Sequence, residues 1–325
     1  MKSRPVEVKA RILENERIRG PYYRLRLFCP EIAALARPGQ FLMVRVKEGY
    51  EPLLRRPFSF ARIHPEEEAG RREKGNVKGG EVEIWYKIVG RGTTILSQLR
   101  EDDQIDVLGP LGNGFWSIGD RSWVLLLAGG MGIAPLFALA ENYCRQSTKV
   151  QARLRSNPVP RLNVLWGGKS GDDAIGIREL ETMGILGGVA TEDGSLGVRG
   201  LATDLLERTL LTLRPETAVI YACGPWAMLS RVAEMAFRFD IPCQVLLETR
   251  MACGLGACLG CTILMKGNYV SEAETRNASK LHPRRESSNH DGRKEVFPKT
   301  YRHGLACQEG PVFEARDIVW ESRNL

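Results

Sequence analysis

Residues 123–136 read WVLLLAGGMGIAPL, an unbroken apolar run that ends in three closely spaced glycines, Gly129, Gly130 and Gly132. An apolar run without alternation is the pattern of a strand covered on both faces, which belongs to a parallel sheet. The continuation, GMGIAPLFALAENYCRQ, reads as a glycine turn opening a helix. Such a turn lets backbone approach a pyrophosphate, whose charge is favoured at a helix N-terminus. The order is not G-x-G-x-x-G, so the usual dinucleotide fingerprint is absent, and a plain tight turn is the competing reading.

The same rhythm continues downstream. RLNVLWGG (161–168), GGVAT (187–191), TAVIYAC (217–223) and CQVLLE (243–248) read as strands, with helical stretches at LATDLLERTL (201–210) and PWAMLSRVAEMAFRF (225–239). Strands alternating with helices predict a doubly wound parallel sheet, placed at residues 119–246. YACGP (221–225) ends one of its strands, on the edge where ligands bind in such sheets. Cys223 there also reads simply as a buried strand-end cysteine.

Upstream the pattern is different. VEVKARILEN (6–15), YYRLRLFC (22–29), QFLMVRV (40–46), PFSFARI (57–63) and EVEIWYKIVG (81–90) are short β-type runs separated by Gly, Pro and charged turns. Successive strands with no helices between them predict an antiparallel barrel over residues 1–118. HPEEEAGRREKGNVKGG (64–80) is charge-rich and reads as an exposed hairpin loop. In LLRRPFSF, Arg56 and Ser59 offer a guanidinium for phosphate and a hydroxyl for a ring nitrogen, although Arg-Pro opening a strand is more often only structural.

The last part of the chain, 247–325, carries MACGLGACLGC (251–261), with the spacing Cys253-x₄-Cys258-x₂-Cys261. Zinc sites show two CxxC-type pairs, and disulfide frameworks belong to short secreted chains. This spacing is that of a plant-type [2Fe–2S] loop, which lacks only a distant fourth thiolate. Residues 267–300 are polar and loop-like, and order returns at YRHGLACQEGPVFEARDIVW (301–320).

Composition narrows the class. The chain has 325 residues, of which 43% are hydrophobic, enough for two or three domains with their own cores. The net charge of +7 is scattered; its densest stretch, RQSTKVQARLRSNPVPR (145–161), lacks interleaved aromatics and reads as a solvated connection, so no nucleic-acid partner is expected. No run approaches the roughly 18–20 apolar residues of a membrane span, and MKSRPVEVKARILENERI lacks a signal-peptide core. A cytoplasmic location follows as the expectation, with reduced thiols, and Cys29, Cys144 and Cys243 default to small buried hydrophobes.

RPFS on a barrel, GGMGIAP opening a parallel sheet and CGP ending one of its strands, in that order, resemble the ferredoxin–NADP reductase superfamily. With the cysteine loop, the flanking LLETRMACGLGAC and ACQEGPVF, and TEDGSLGVRGLATDLL (191–206), the chain is similar nearly end to end to the electron-transfer subunits of NAD-dependent (class 1B) dihydroorotate dehydrogenase. The resemblance implies an FAD site at Arg56, Pro57, Phe58 and Ser59, with Arg56 on the pyrophosphate and Ser59 near flavin N5, completed by Trp85, Tyr86, Lys87, Gly92 and Thr93. It implies NAD at Gly129, Gly130, Gly132 and Pro135, with Cys223, Gly224 and Pro225 at the nicotinamide end. Cys253, Cys258, Cys261 and Cys307 would ligate the cluster. Residues 262–306 separate the last two ligands, where the family has a much shorter hairpin, so 267–300 reads as an insertion at its tip. A longer loop adds only about 0.6 kcal/mol per doubling and leaves Cys307 in place, with His303 as the rival ligand.

The resemblance also implies a function. A nicotinamide carries hydride, a cluster carries single electrons, and a flavin handles both, so no acid–base constellation is needed. Three cofactor regions account for the length, leaving no room for a (β/α)₈ barrel of about 250 residues. Dihydroorotate would be oxidised at the FMN of a partner subunit, in a heterotetramer of two chains of each kind, with this chain as the outlet to NAD⁺ in pyrimidine biosynthesis. A related reductase subunit, of the sulfide dehydrogenase or NADPH–ferredoxin transhydrogenase type, is the alternative. A zinc-binding interaction module on a degenerate nucleotide fold is the reading from another class. NAD is expected over NADP, because Asp172 and Asp173 follow Lys169 and Ser170 after the second sheet strand and would repel a 2′-phosphate.

Overall fold

A computed structural model describes residues 4–65, 80–118, 121–153, 160–213, 217–267 and 301–324. The N-terminal part forms β1 (Val6–Arg19), β2 (Tyr22–Phe28), α1 (Pro30–Leu35), β3 (Phe41–Arg45), β4 (Arg56–His64), β5 (Glu81–Lys87), α2 (Arg91–Leu96) and β6 (Gln104–Leu111). The six strands close into an antiparallel barrel in the order β1-β2-β5-β4-β3-β6. Alternation explains its interior. Ala10 and Ile12, Leu25 and Leu27, Val82, Ile84 and Tyr86, and Ile105 and Val107 all point into one buried cluster.

Five strands are expected from the sequence and six are found. The sixth, β6, shows only two alternating apolar residues before Gly109-Pro110, too weak a signal for a strand by itself. Pairing with both β1 and β3 compensates for it. The first third also holds two six-residue helices that hydrophobic periodicity does not reveal.

The second layer system contains β7 (Trp123–Gly129), α3 (Ile133–Arg153), β8 (Arg161–Gly168), α4 (Ile177–Thr182), β9 (Leu186–Thr191), β10 (Val198–Arg199), α5 (Ala202–Thr212), β11 (Ala218–Cys223), α6 (Trp226–Arg238) and β12 (Cys243–Leu246). The strands lie in the order β10-β9-β8-β7-β11-β12, all parallel. Val124 to Ala128 are buried throughout, as an apolar run in a sheet covered on both faces requires. The basic stretch 145–161 is not a connection in its first half: α3 runs to Arg153, since Pro and Gly are absent until Pro158.

After the cysteine loop come β13 (Thr262–Lys266), β14 (Tyr301–Leu305) and β15 (Val312–Glu314). β13 and β14 form a hairpin, and β15 pairs antiparallel with β12 as the seventh strand of the main sheet. The terminal segment is thereby sewn onto the parallel sheet rather than merely appended to it. Most of the expected exposed loop 64–80 (residues 66–79) and of the expected insertion 267–300 (residues 268–300) lies outside the described residues. Cys29 and Cys243 are buried as expected, whereas Cys144 is only half-buried, because its stretch of α3, residues 141–145, is itself only partly covered. Among the described residues no helix is long and apolar enough to cross a membrane.

Candidate functional site

The barrel and the sheet meet at a cavity of about 300 Å³. β4 supplies Pro57, Phe58 and Ser59; β5 supplies Trp85, Tyr86 and Lys87; Thr93 comes from α2. The sheet side supplies Met131, Ala134 and Pro135, from the glycine turn and the first turn of α3. The third wall is the segment Leu246–Thr249 with Met251, which leaves β12 and runs into the cysteine loop. Eight of the residues picked out from sequence therefore line one cavity: Pro57, Phe58, Ser59, Trp85, Tyr86, Lys87, Thr93 and Pro135.

Local chemistry holds each wall. On β5 the even positions fill the barrel and the odd positions face outward, so Trp85 packs against Phe137 of α3 at 5.0 Å between ring centroids. Its indole N–H donates to the buried Glu83 carboxylate. Burial raises the Glu83 pKa, although Trp85, Arg62 and Arg24 oppose the rise. Thr93 fixes the β5–α2 turn, its hydroxyl oxygen accepting from the Val89 N–H at 2.9 Å. Arg56 and Gly92 lie beside each other outside the cavity lining, and a Cβ on Gly92 would come within 2.8 Å of Arg56 Nε. The Arg56 guanidinium is folded back to donate to the carbonyl of Leu54.

The glycine turn and the CGP turn stack on one another. A Cβ on Gly132 would stand 2.1 Å from the carbonyl oxygen of Cys223, and one on Gly224 would stand 3.0 Å from the Gly129 backbone. Gly130 adopts φ +52° and Gly224 φ +156°, conformations that side chains disfavour. Pro225 packs over Gly129, where a Cβ would meet its ring at 2.7 Å. Cys223 is wholly buried, and burial with Glu248 nearby raises its pKa well above the ordinary thiol value. Gly129, Gly130, Gly132, Cys223, Gly224 and Pro225 thus lie packed together at the carboxyl ends of β7 and β11 and are not part of the cavity wall.

The cysteine loop is compact. Gly254 and Gly256 take φ +72° and +82°, and Leu259 takes φ +59°, so the backbone curls with its N–H groups inward. Leu255 N–H donates to Cys253 Sγ at 3.3 Å, and Gly260 N–H to Cys258 Sγ at 3.5 Å. Burial opposes ionisation of Cys253, but hydrogen bonds from the backbone at Cys258, Leu255 and Ala257 prevail and bring its pKa down to about 7. Cys307 lies against Cys261, with the sulfurs 3.2 Å apart, and both are buried. Burial and the Cys261 contact push the Cys307 thiol up to about 12. His303, the rival to Cys307, is exposed on β14 and faces a separate groove with Trp226 and Arg250.

Among the described residues no three His, Cys, Asp or Glu side chains converge on a single metal position. The sulfurs come instead as two pairs, Cys253 with Cys258 and Cys261 with Cys307. Two pairs of thiolates in a nest of N–H donors suit a two-iron cluster, whose four thiolates are shared between two irons, better than one zinc ion.

Several lining residues were not picked out as site residues. Phe41 reaches the cavity from β3, which carries no motif, and Pro311, although part of ACQEGPVF, is brought there only by the tertiary fold. Thr249 is more informative: its hydroxyl oxygen is buried without a hydrogen-bond partner at the cavity wall. A buried hydroxyl without a partner at a cavity wall is free to bond a polar atom that enters the cavity. Its position between a strand end and the first loop cysteine was the available signal.

The cavity between barrel and sheet, the stacked glycine turns at the strand ends and the cysteine loop reached from the third wall lie together in one region of the fold. Residues 248–274 match the iron–sulfur cluster binding domain of dihydroorotate dehydrogenase B, and residues 126–234 match the oxidoreductase NAD-binding domain. The electron transfer subunit of dihydroorotate dehydrogenase B (NAD(+)) from Desulforamulus reducens is 33% identical over 299 residues, covering 92% of this chain and 93% of that protein. Its counterpart from Geobacillus kaustophilus is 36% identical over 300 residues, covering 91% and 92%. Among solved structures, the NADH-dependent reduced ferredoxin–NADP oxidoreductase superposes with a TM-score of 0.71 at 24% identity, over 97% of this chain and 91% of that one. The chain belongs to the family of dihydroorotate dehydrogenase B electron-transfer subunits.

Proposed function

We propose that this chain is the oxidoreductase subunit that passes electrons from a dihydroorotate-oxidising partner to NAD⁺, using FAD and a [2Fe–2S] cluster. The observation that carries the reading is the shared cavity: the barrel strands, the start of α3 and the segment entering the cysteine loop are three walls of one space. When bound, nicotinamide and flavin would supply hydride transfer, and flavin and cluster its division into single-electron steps. The protein's part is to hold, orient and insulate.

Pro57, Phe58, Ser59, Trp85, Tyr86 and Lys87 would hold the flavin ring, with Thr93 at its side and Thr249 as an uncommitted hydroxyl. Arg56, beside Gly92, would leave its carbonyl contact to pair with a pyrophosphate. The stacked turns at 129–132 and 223–225 leave bare backbone for the NAD pyrophosphate and nicotinamide. Cys253, Cys258, Cys261 and Cys307 would ligate the cluster. The partner is an FMN-containing catalytic subunit, assembled two plus two in the cytoplasm, and the product serves pyrimidine biosynthesis.

Co-expression with such a subunit tests this directly. The purified complex should show flavin and [2Fe–2S] absorption and reduce NAD⁺ with dihydroorotate. A colourless chain points to the zinc-module reading. A coloured chain that ignores dihydroorotate points to a different partner, of the sulfide dehydrogenase or transhydrogenase type.

A further inference from the structure

The barrel and the parallel sheet are joined along β5 by more than apolar packing. Lys87 Nζ donates to the Tyr22 hydroxyl oxygen at 2.8 Å and lies 3.7 Å from Asp173 Oδ1. The Tyr22 hydroxyl in turn donates to Asp173 Oδ1. Tyr22 and Lys87 belong to β2 and β5 of the barrel, whereas Asp173 lies in the loop that follows β8 of the sheet. The other carboxylate oxygen of Asp173 accepts from the Lys169 N–H at 3.2 Å, so the same side chain also closes its own loop. Arg19 adds a second bond across the seam, donating to the Gly171 carbonyl at 2.9 Å.

The place of this loop gives the contact its meaning. β8 is the neighbour of β7, whose carboxyl end carries the glycine turn, and ligands in parallel sheets lie beyond the strand carboxyl ends. A dinucleotide with its pyrophosphate on that turn extends its far half over the loop after β8. Lys87, at the other end of the contact, lines the cavity. The Tyr22 ring is buried at the seam, and its hydroxyl bonds both Lys87 and Asp173 there.

We propose that Tyr22, Lys87 and Asp173 form an interdomain clasp that positions the 169–173 loop, and hence the adenosine half of NAD, relative to the flavin wall. Tyr22 and Asp173 are positioning residues that act through the loop. The inference rests on the flavin and NAD reading above. It also removes Asp173 from the set of carboxylates that face the nucleotide.

The test uses the assembled holoprotein carrying Tyr22→Phe or Asp173→Asn, with Asp173→Glu as the conservative variant and Arg11→Ala, at an ion pair remote from the seam, as control. NAD⁺ affinity is measured by equilibrium titration and NADH-dependent dye reduction by steady-state kinetics. Loss of one such bond should weaken nucleotide binding and raise KM by about five-fold, with kcat, FAD content and iron content within about two-fold. Asp173→Glu should recover part of the loss. Unchanged affinity and KM in both variants would overturn the clasp, as would loss of FAD and thermal stability with normal affinity in the remaining holoprotein. A wild-type complex that binds neither flavin nor NADH would overturn the functional reading and the clasp together, which distinguishes the two failures.

Discussion

Cys223 and Cys307 are both buried thiols beside strand ends, and their surroundings assign them different fates. Cys223 is enclosed by backbone and apolar side chains, with its carbonyl pressed against Gly132. Cys307 faces another sulfur, Cys261, across 3.2 Å, and its backbone N–H donates to that sulfur at 3.4 Å. Cys307→Ser should therefore abolish or severely destabilise the cluster, and Cys223→Ser should leave it intact. Iron content and the EPR signal of the reduced protein check this; a full [2Fe–2S] signal in the Cys307 variant would remove it from the ligand set. A thiolate matters at one position because only there do other thiolates and inward N–H groups share its space.

Two elements carry predictions of their own. The β13–β14 hairpin is in register from Thr262–Leu305 to Lys266–Tyr301, so its open end brings residues 266 and 301 to ladder distance. A short glycine-containing turn can join strands at that spacing. Replacing 267–300 by such a turn should preserve cluster content and NADH-dependent dye reduction, and loss of the cluster on trimming would show that the segment is structural. The loop after β8 bears on nucleotide choice. Asp173 was expected to repel a 2′-phosphate, but Tyr22 and Lys87 hold its carboxylate at the seam. Repulsion then falls to the exposed Asp172. NADH should still exceed NADPH in kcat/KM, and Asp172→Ser should narrow the gap more than Asp173→Asn does. Equal kcat/KM for both nucleotides in the wild type would refute the preference.

For the molecule as a whole, the clasp predicts a pH dependence of the contact between barrel and sheet. Partial burial works against ionisation of Asp173, but the Tyr22 hydrogen bond, Lys87 and its own loop N–H groups hold its pKa below the usual carboxylate value. A depressed folded pKa stabilises above the unfolded value of about 3.9 and is lost as pH falls through the folded one. The stability difference between wild type and Asp173→Asn, from denaturant titration, should be constant from about pH 8 to about pH 5 and shrink below about pH 4. A difference that grew on acidification would contradict the assigned pairing.

Local pattern by itself determined much of this protein. The apolar run of β7, the alternation in β1, β2 and β5, and the spacing of three loop cysteines each report through a few neighbouring residues, so barrel, parallel sheet and cluster loop were legible in the chain. The weakly patterned β6 and the attachment of β15 to β12 were not, because each depends on partners far away in sequence, and the helical course of 145–153 was obscured by its charge although its lack of Pro and Gly is local. The same holds for the cavity. Its motifs could be read one by one, but Thr249, Phe41 and Pro311 join them only after folding. Asp173 shows the difference most sharply: its sequence neighbours suggested a nucleotide contact, and a tyrosine and a lysine from the barrel strands, separated from it along the chain, hold its carboxylate. Sequence neighbours fix backbone geometry and periodicity, whereas the partner of a charged side chain is fixed by which surfaces the packed core brings within hydrogen-bond distance.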